Sequence, residues 1–243
     1  MKGVVYTNNG KKKDVELEVL LPVYNEAPTI ENVISEIYEE LSPRVSMRFI
    51  ISEDGSTDNT KEILHDLSTK YPIEVISSKM RKGYSRALID GMKCATAPWI
   101  LCLDADGQCD PRDFWMFWKA RSDYDVLCGW RTERADKWIR IFLSTTFRIF
   151  YKILFHIPLH DPSFCYVLVR REVIRKLLPY LGHMKQGFWW EFNAVAYLEG
   201  CSLTEFPVHH RRRHKGDTKV YGWSEIPKIA FSHIIALFII RRR

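Results

Sequence analysis

The chain has 243 residues, 46% hydrophobic and 27% charged, and its excess of Lys and Arg gives a formal net charge of +6. That is ordinary globular composition, long enough for one domain to bury a full core. The modest positive charge fits phosphorylated substrates, anionic lipid or nucleic acid and does not separate them. The six cysteines include no C-x-x-C pair, which excludes a zinc-finger framework, and they read as reduced core thiols of an intracellular protein. The N-terminal MKGVVYTNNGKKKDVELEV has no apolar signal-peptide core. No stretch reaches the roughly 20 apolar residues of a spanning helix. The longest candidate, Ile229 to Ile240, is interrupted by Ser232 and His233, and a helix of that length reaches only about 18 Å.

In chain order, residues 1–16 are polar and are expected to form a flexible segment. EVLLP (18–22) reads as a buried strand, and Ile30, Val33, Ile34, Ile37, Tyr38 and Leu41 recur at helical spacing behind Pro28. MRFIIS (47–52) is the next strand, followed by a helix through Ile63, Leu64 and Leu67. IEVISS (73–78), a helix near 84–96 and WILCLDAD (99–106) continue the alternation. Apolar strands separated by helices predict an α/β protein with a mostly parallel central sheet. In such sheets ligands bind beyond the carboxyl ends of the strands. PVYNE, SEDGS and DADGQ each follow a strand, so all three are expected on one rim. Further on, Pro111 opens a helix containing Phe114, Trp115, Phe117 and Trp118, and DVLCGWR (125–131) and CYVLV (165–169) read as strands.

Asp104-Ala-Asp106 is the sharpest chemical signal. On an extended segment, alternate side chains share a face, so both carboxylates can meet one cation. Mg2+ and Mn2+ favour such hard oxygen ligands and bridge to a diphosphate, and Gln108 can add a neutral oxygen. Equally, two aspartates can simply end a strand and cap the helix at Pro111. Glu53-Asp54-Gly55-Ser56 offers a turn-bound carboxylate to a base or ribose, or is an ordinary turn with a helix cap. Pro22-Val23-Tyr24-Asn25-Glu26 offers a ring and a carboxylate. Arg81-Lys82-Gly83 offers cations and a closely approaching backbone to phosphate, or is a solvated turn.

Taken together, PVYNE, EDGSTDNT, RKGYSRALIDG, DADGQCDP, Gly129-Trp130-Arg131, Asp161 with Phe164, Glu191, and Arg213 with Gly216, Thr218 and Lys219 resemble, in this order, the family 2 glycosyltransferases. Within that family the likeness is to the polyprenyl-phosphate glycosyltransferases, and it covers roughly residues 17–222. The resemblance implies a Rossmann-like glycosyltransferase A fold and inverting transfer from a nucleotide diphosphate sugar. It implies that Pro22, Tyr24, Glu26 and Asp54 hold the nucleoside, with Lys82 on the phosphates. Asp104, Asp106 and Gln108 would hold Mg2+ or Mn2+. Arg131, Arg213 and Lys219 would face donor or acceptor phosphates. Asp161 would be an acceptor-side base or orienter, and Glu191 would lie near the sugar pocket. The chain departs from the family pattern at Glu53 and Thr218, which keep the functional group, and at Cys165, where relatives often carry arginine. On this reading residues 17–110 form the nucleotide-sugar half, 111–222 the acceptor half, and 223–243 a C-terminal amphipathic or membrane-proximal helix.

Two further stretches bear on the acceptor. The run His209-His210-Arg211-Arg212-Arg213-His214-Lys215 suits an anionic acceptor, or is a nucleic-acid-binding or solvated patch. In 137–156, Lys137, Arg140, Ser144, Arg148 and Lys152 form one helical stripe. Trp138, Ile141, Phe142, Ile149, Phe150, Ile153 and Leu154 fill the opposite arc, the pattern of a helix lying in a bilayer interface or of a core helix with an exposed edge. The tail AFSHIIALFIIRRR is a second such helix, the stub of a longer membrane region, or a homo-oligomer contact. The expected function is transfer of mannose or glucose from GDP-mannose or UDP-glucose to a polyprenyl or dolichyl phosphate. The expected setting is the cytoplasmic face of a membrane, within protein glycosylation or cell-envelope synthesis. The alternatives are transfer to a glycan or protein hydroxyl and, from a different class, a non-catalytic nucleotide- or nucleic-acid-binding module. Nucleic acid is not expected as a partner.

Overall fold

The computed structural model describes residues 5–7, 14–132, 138–211 and 226–242, with the backbone alone for 5–7, 138–146 and 226–230. The first half alternates strand and helix as the apolar periodicity predicts. After β1 (Val5–Thr7) come β2 (Leu17–Val23), α1 (Ile30–Leu41), β3 (Met47–Glu53), α2 (Thr60–Lys70), β4 (Ile73–Ser77), α3 (Tyr84–Cys94) and β5 (Trp99–Cys102). Every residue of β2 is buried, and Ile30, Val33, Ile34, Ile37 and Leu41 form the inward face of α1, so burial on both faces explains the continuous apolar strand runs. At Gly91, α3 lies so close to the sheet that a Cβ would stand 2.2 Å from Leu20 Cδ1.

The second half comprises a single-turn 3-10 helix at Pro111–Asp113, α4 (Phe114–Ala120), β6 (Val126–Arg131), α5 (Trp138–Phe155) and β7 (Val167–Arg170). It continues through α6 (Arg171–Leu177), α7 (Phe188–Leu198), β8 (Leu203–Val208) and α8 (Ile226–Arg241). All strands join one sheet in the order β1-β4-β3-β2-β5-β7-β6-β8. Strands β2 to β5 are mutually parallel, β7 is antiparallel to both β5 and β6, and β8 is parallel to β6. This is the expected mostly parallel α/β sheet.

Two expectations need correction. Residues 5–7 lie within the segment expected to be flexible, yet Val5, Tyr6 and Thr7 pair antiparallel with Ile76, Val75 and Glu74. These β-branched and aromatic residues cover an otherwise open edge. The strand expected over 99–106 ends at Cys102, and Ala105-Asp106 lies in a turn. The two aspartates are therefore not alternate residues of an extended strand.

Candidate active site

Strand direction assembles the site. Because β2, β3, β5, β6 and β8 all point the same way, their carboxyl ends share one rim. Val23 sits level with Glu53 in the register, and Leu20 with Cys102. Antiparallel β7 begins at that rim, which brings Asp161, Phe164 and Cys165 toward it. Arg131 ends β6 there, and His209–Arg211 follow β8.

The three loops of the first half are stitched together. Asn25 adopts φ +53°. Its N–H donates to Ser56 Oγ at 3.0 Å, while its Oδ1 accepts from the Thr57 N–H at 2.7 Å. The Glu26 N–H donates to Thr60 Oγ1. Thr29 Oγ1 lies 2.9 Å from Glu26 Oε2 and 3.2 Å from the Ala105 carbonyl, which ties PVYNE to both EDGST and DADGQ.

The nucleoside-side residues divide into those that face outward and those that brace. Tyr24 is partly exposed, with the Arg81 guanidinium 4.1 Å above its ring. Pro22 is buried within β2, opposite Ser52. Asp54 is only 3% exposed; its two oxygens accept the N–H groups of Lys82 at 2.7 Å and Gly83 at 2.8 Å, so it anchors the 81–83 loop. The Lys82 ammonium pairs with Asp90 on α3, which makes Arg81 the loop cation nearest the ring. Glu53 is buried and accepts from the Ser56 N–H and from Ser77 Oγ.

Asp104 and Asp106 are partly exposed at the rim. Burial pushes the Asp104 carboxyl up, opposed by hydrogen bonds from Tyr84 and Cys165. Tyr84 Oη stands 2.7 Å from Asp104 Oδ1 and 3.0 Å from Trp189 Nε1. Asp106 Oδ1 accepts the Gln108 N–H at 3.1 Å, and the Gln108 amide nitrogen donates to the Arg211 carbonyl at 3.0 Å. Among the described residues, no group of three or more His, Cys, Asp or Glu side chains is gathered for a metal ion. The expected donors are two carboxylates and an amide, a sparse set that would suit Mg2+ or Mn2+ if substrate phosphates and water completed the shell. A cavity of about 390 Å³ opens beside Asp106 and Gly107, between α1 and Arg211.

Among the residues expected on the acceptor side, Arg131 Nε lies 2.8 Å from Asp161 Oδ2, and its guanidinium also packs against the Phe164 ring. Cys165 Sγ is 3.8 Å from Cys109 Sγ; this contact, burial and the nearby Asp104 charge all push the Cys165 thiol up. Glu191, which the family resemblance puts near the sugar pocket, is fully buried in α7. Its carboxylate accepts the N–H groups of Gly182, His183 and Met184. In the described part of the basic run, Asp113 holds His209, Arg211 reaches both Glu36 and Asp110, and His210 meets the Phe164 ring edge-on. Arg213, Lys219 and the rest of that run lie outside the described residues, as does Lys137, while Arg140 and Ser144 are described only as backbone.

Tyr84 and Trp189 went unassigned at the sequence level, although Tyr84 sits inside the quoted RKGYSRALIDG. Nothing in either local pattern marks a hydrogen bond between residues so far apart in the chain.

The glycosyl transferase family 2 model matches residues 18–178. A dolichyl-phosphate beta-glucosyltransferase from Dictyostelium discoideum is 26% identical over 213 residues, covering 79% of this chain and 64% of that protein. The dolichol-phosphate mannosyltransferase of Pyrococcus furiosus is 35% identical over 124 residues, or 51% of this chain and 35% of that one. The chain thus spans less than two thirds of the length of each of these relatives. Among solved structures, glucosyl-3-phosphoglycerate synthase from Mycobacterium tuberculosis, in complex with Mn2+, UDP-glucose and glycerol 3-phosphate, has a TM-score of 0.67 at 17% identity. It covers 93% of this chain and 80% of its own. A mannosyltransferase from Pyrobaculum calidifontis, in complex with GDP-mannose and Mn2+, has a TM-score of 0.58 at 21% identity, with 81% and 56% covered. At these identities the structural likeness carries the fold.

Proposed function

This chain belongs to glycosyl transferase family 2, and from that premise we propose that it transfers mannose or glucose from a nucleotide diphosphate sugar to a polyprenyl phosphate. The observation that carries this reading is the convergence of Tyr24, the Asp54-anchored 81–83 loop and Asp104-Ala105-Asp106 on one stitched rim. Tyr24 presents a ring to the base, and Arg81 supplies positive charge beside it. Asp104 and Asp106, with the Gln108 carbonyl, would hold Mg2+ or Mn2+. Such a cation would stabilise the negative charge that develops on the departing nucleoside diphosphate.

A phosphate acceptor is already ionised near neutral pH, so its attack on the anomeric carbon needs no general base. The chain's task is then to bring two anions together. Arg131, held by Asp161 at the end of β6, is placed to do so at the acceptor side of the rim. The arrangement favours phosphate over hydroxyl acceptors, because Asp161 is committed to Arg131 rather than poised to take a proton.

A lipid acceptor also calls for contact with a bilayer. No helix among the described residues is long and apolar enough to cross a membrane. The outward face of α8, however, carries Phe231, Ile234, Ile235, Phe238 and Ile239, and that of α5 carries Ile149 and Ile153, all exposed. Phe150 and Phe238 join the two helices, and Arg148, Lys152, Arg241 and Arg242 flank the patch. An apolar surface edged by cations fits the interface of an anionic membrane.

The test is direct. Protein, Mn2+ or Mg2+, radiolabelled GDP-mannose or UDP-glucose and a polyprenyl phosphate should yield an acid-labile lipid-linked monosaccharide. If every donor leaves the lipid unmodified while a glycan or protein hydroxyl is glycosylated, the acceptor assignment fails. Flotation with anionic vesicles should be lost in Ile153→Asp/Phe238→Asp.

A further inference from the structure

We propose that Tyr84 and Trp189 act as positioning residues, a rigid strut that fixes the Asp104 carboxylate so that one oxygen is presented to the cation. The inference rests on the donor-site reading above and adds two residues to it. The direction of each hydrogen bond follows from chemistry. An indole N–H can only donate, so across the 3.0 Å contact the Tyr84 oxygen is the acceptor. The Tyr84 proton is then directed to Asp104 Oδ1, 2.7 Å away. The phenol on Oδ1 and the Cys165 thiol, which also hydrogen-bonds the carboxylate, restrict its rotation, and the oxygen opposite the phenol becomes the one oriented for a cation. A single preset oxygen suits a cation that takes its remaining ligands from phosphate and water.

The strut is itself braced. Tyr84 opens α3 directly after Gly83, whose N–H is held by Asp54. Trp189 lies in the first turn of α7, packed edge-to-face on Phe188 and Phe192. The loop before α7 is pinned twice, by Glu191 accepting from the 182–184 backbone and by Ser85 Oγ donating to the Lys185 carbonyl at 3.0 Å. The strut therefore links α3, between the nucleoside-side strands, to α7, which follows the acceptor-side residues. Its geometry is set before substrate arrives, which lowers the ordering cost of binding.

Calorimetric titration separates the strut from a general structural role. In the wild-type protein, GDP or UDP should bind more tightly with Mn2+ than without it. Tyr84→Phe should weaken Mn2+-dependent diphosphate binding about tenfold, the loss of one charge-assisted hydrogen bond. Its metal-free binding of GDP or UDP should be unchanged. Trp189→Phe, which keeps the phenol but removes its donor, should shift the same quantity in the same direction by a smaller factor. Asp104→Asn in either background should abolish the Mn2+ effect, so that Tyr84→Phe adds nothing further. If Tyr84→Phe binds Mn2+ and diphosphate as wild type does while Asp104→Asn does not, the strut is overturned and the donor site stands. Equal weakening with and without Mn2+ also overturns it, as a folding effect. A wild-type protein whose nucleotide binding ignores Mn2+ overturns both.

Discussion

Arg131 and Asp161 meet through two contacts, with Nε 2.8 Å from Oδ2 and Nη2 3.3 Å from Oδ1. Ser163 Oγ donates to that same Oδ1 at 2.8 Å, and Asp161 is only 4% exposed. Donors thus surround the carboxylate on both oxygens. In this setting it orients a guanidinium toward the acceptor side of the rim. Asp161→Asn should lower turnover on a polyprenyl phosphate on the order of tenfold, less than the 10²- to 10⁴-fold that removal of a general base costs. Steady-state kinetics with the lipid acceptor checks this; a drop of about 10²-fold or more would favour Asp161 as a general base.

Asp104→Asn and Asp106→Asn should each reduce transfer by at least about 10²-fold, the scale for losing an electrostatic stabiliser of the leaving group. Both variants should remain folded, since both positions are partly exposed at the rim. Product formation across a Mn2+ titration, alongside far-UV circular dichroism, distinguishes lost chemistry from lost structure.

Glu191→Ala should act on stability. The substitution strips the Gly182, His183 and Met184 N–H groups of their acceptor, and of these three residues Met184 is the buried one. The expected cost is about 1–3 kcal/mol, the scale for one buried donor left without a partner, since the Gly182 and His183 N–H groups can turn to water. Urea unfolding measures it, and a loss of turnover without a loss of stability would favour the sugar-pocket role.

The parts of this architecture that were legible in the sequence are those with local signatures. The buried runs Leu17–Val23 and Met47–Glu53 and the periodicity of α1 reflect burial that each segment carries in its own residues. The shared rim was legible too, because parallel strands aim their carboxyl ends one way. The antiparallel insertion of β7 was not, since a strand of four residues bears no mark of its direction. Neither were the partners of Asp54, Lys82 and Glu191. A carboxylate in a turn looks alike in sequence whether it meets a ligand or a backbone N–H from a distant loop. β8 was also missed; its half-buried LTEFPV lacks a continuous apolar run.

Gly55→Ala should be damaging out of proportion to its size. The residue has φ +73°, and an added Cβ would stand 2.5 Å from the Met80 carbonyl carbon and 2.7 Å from the Arg81 nitrogen. Both atoms are backbone, so the 80–81 segment would have to move, and Arg81 with it. A loss of about 1–3 kcal/mol is expected, together with weaker nucleotide binding, readable by thermal melting with and without GDP or UDP.

His209 gives a small pH dependence with a definite sign. Its hydrogen bond to Asp113, with the Asp113 charge, raises the imidazole above its ordinary value of 6.5. The stabilisation is fully present below about pH 6.5 and is lost as pH rises through the raised folded value. His209→Gln should flatten that part of the stability profile in melts between pH 5 and 9. Because the ring is largely exposed, the effect should shrink in high salt.

Strand β7 lies between β5 and β6 and is hydrogen-bonded to both, so the donor and acceptor regions share a continuous backbone ladder. Among the described residues, the sheet offers no seam along which these two regions could swing apart without breaking its hydrogen bonds, the movement that hinge closure would need. For the proposed transfer, entry and release would then fall to movements of individual loops at the strand ends. Turnover should accordingly respond to changes in those loops far more than to any stiffening between the halves.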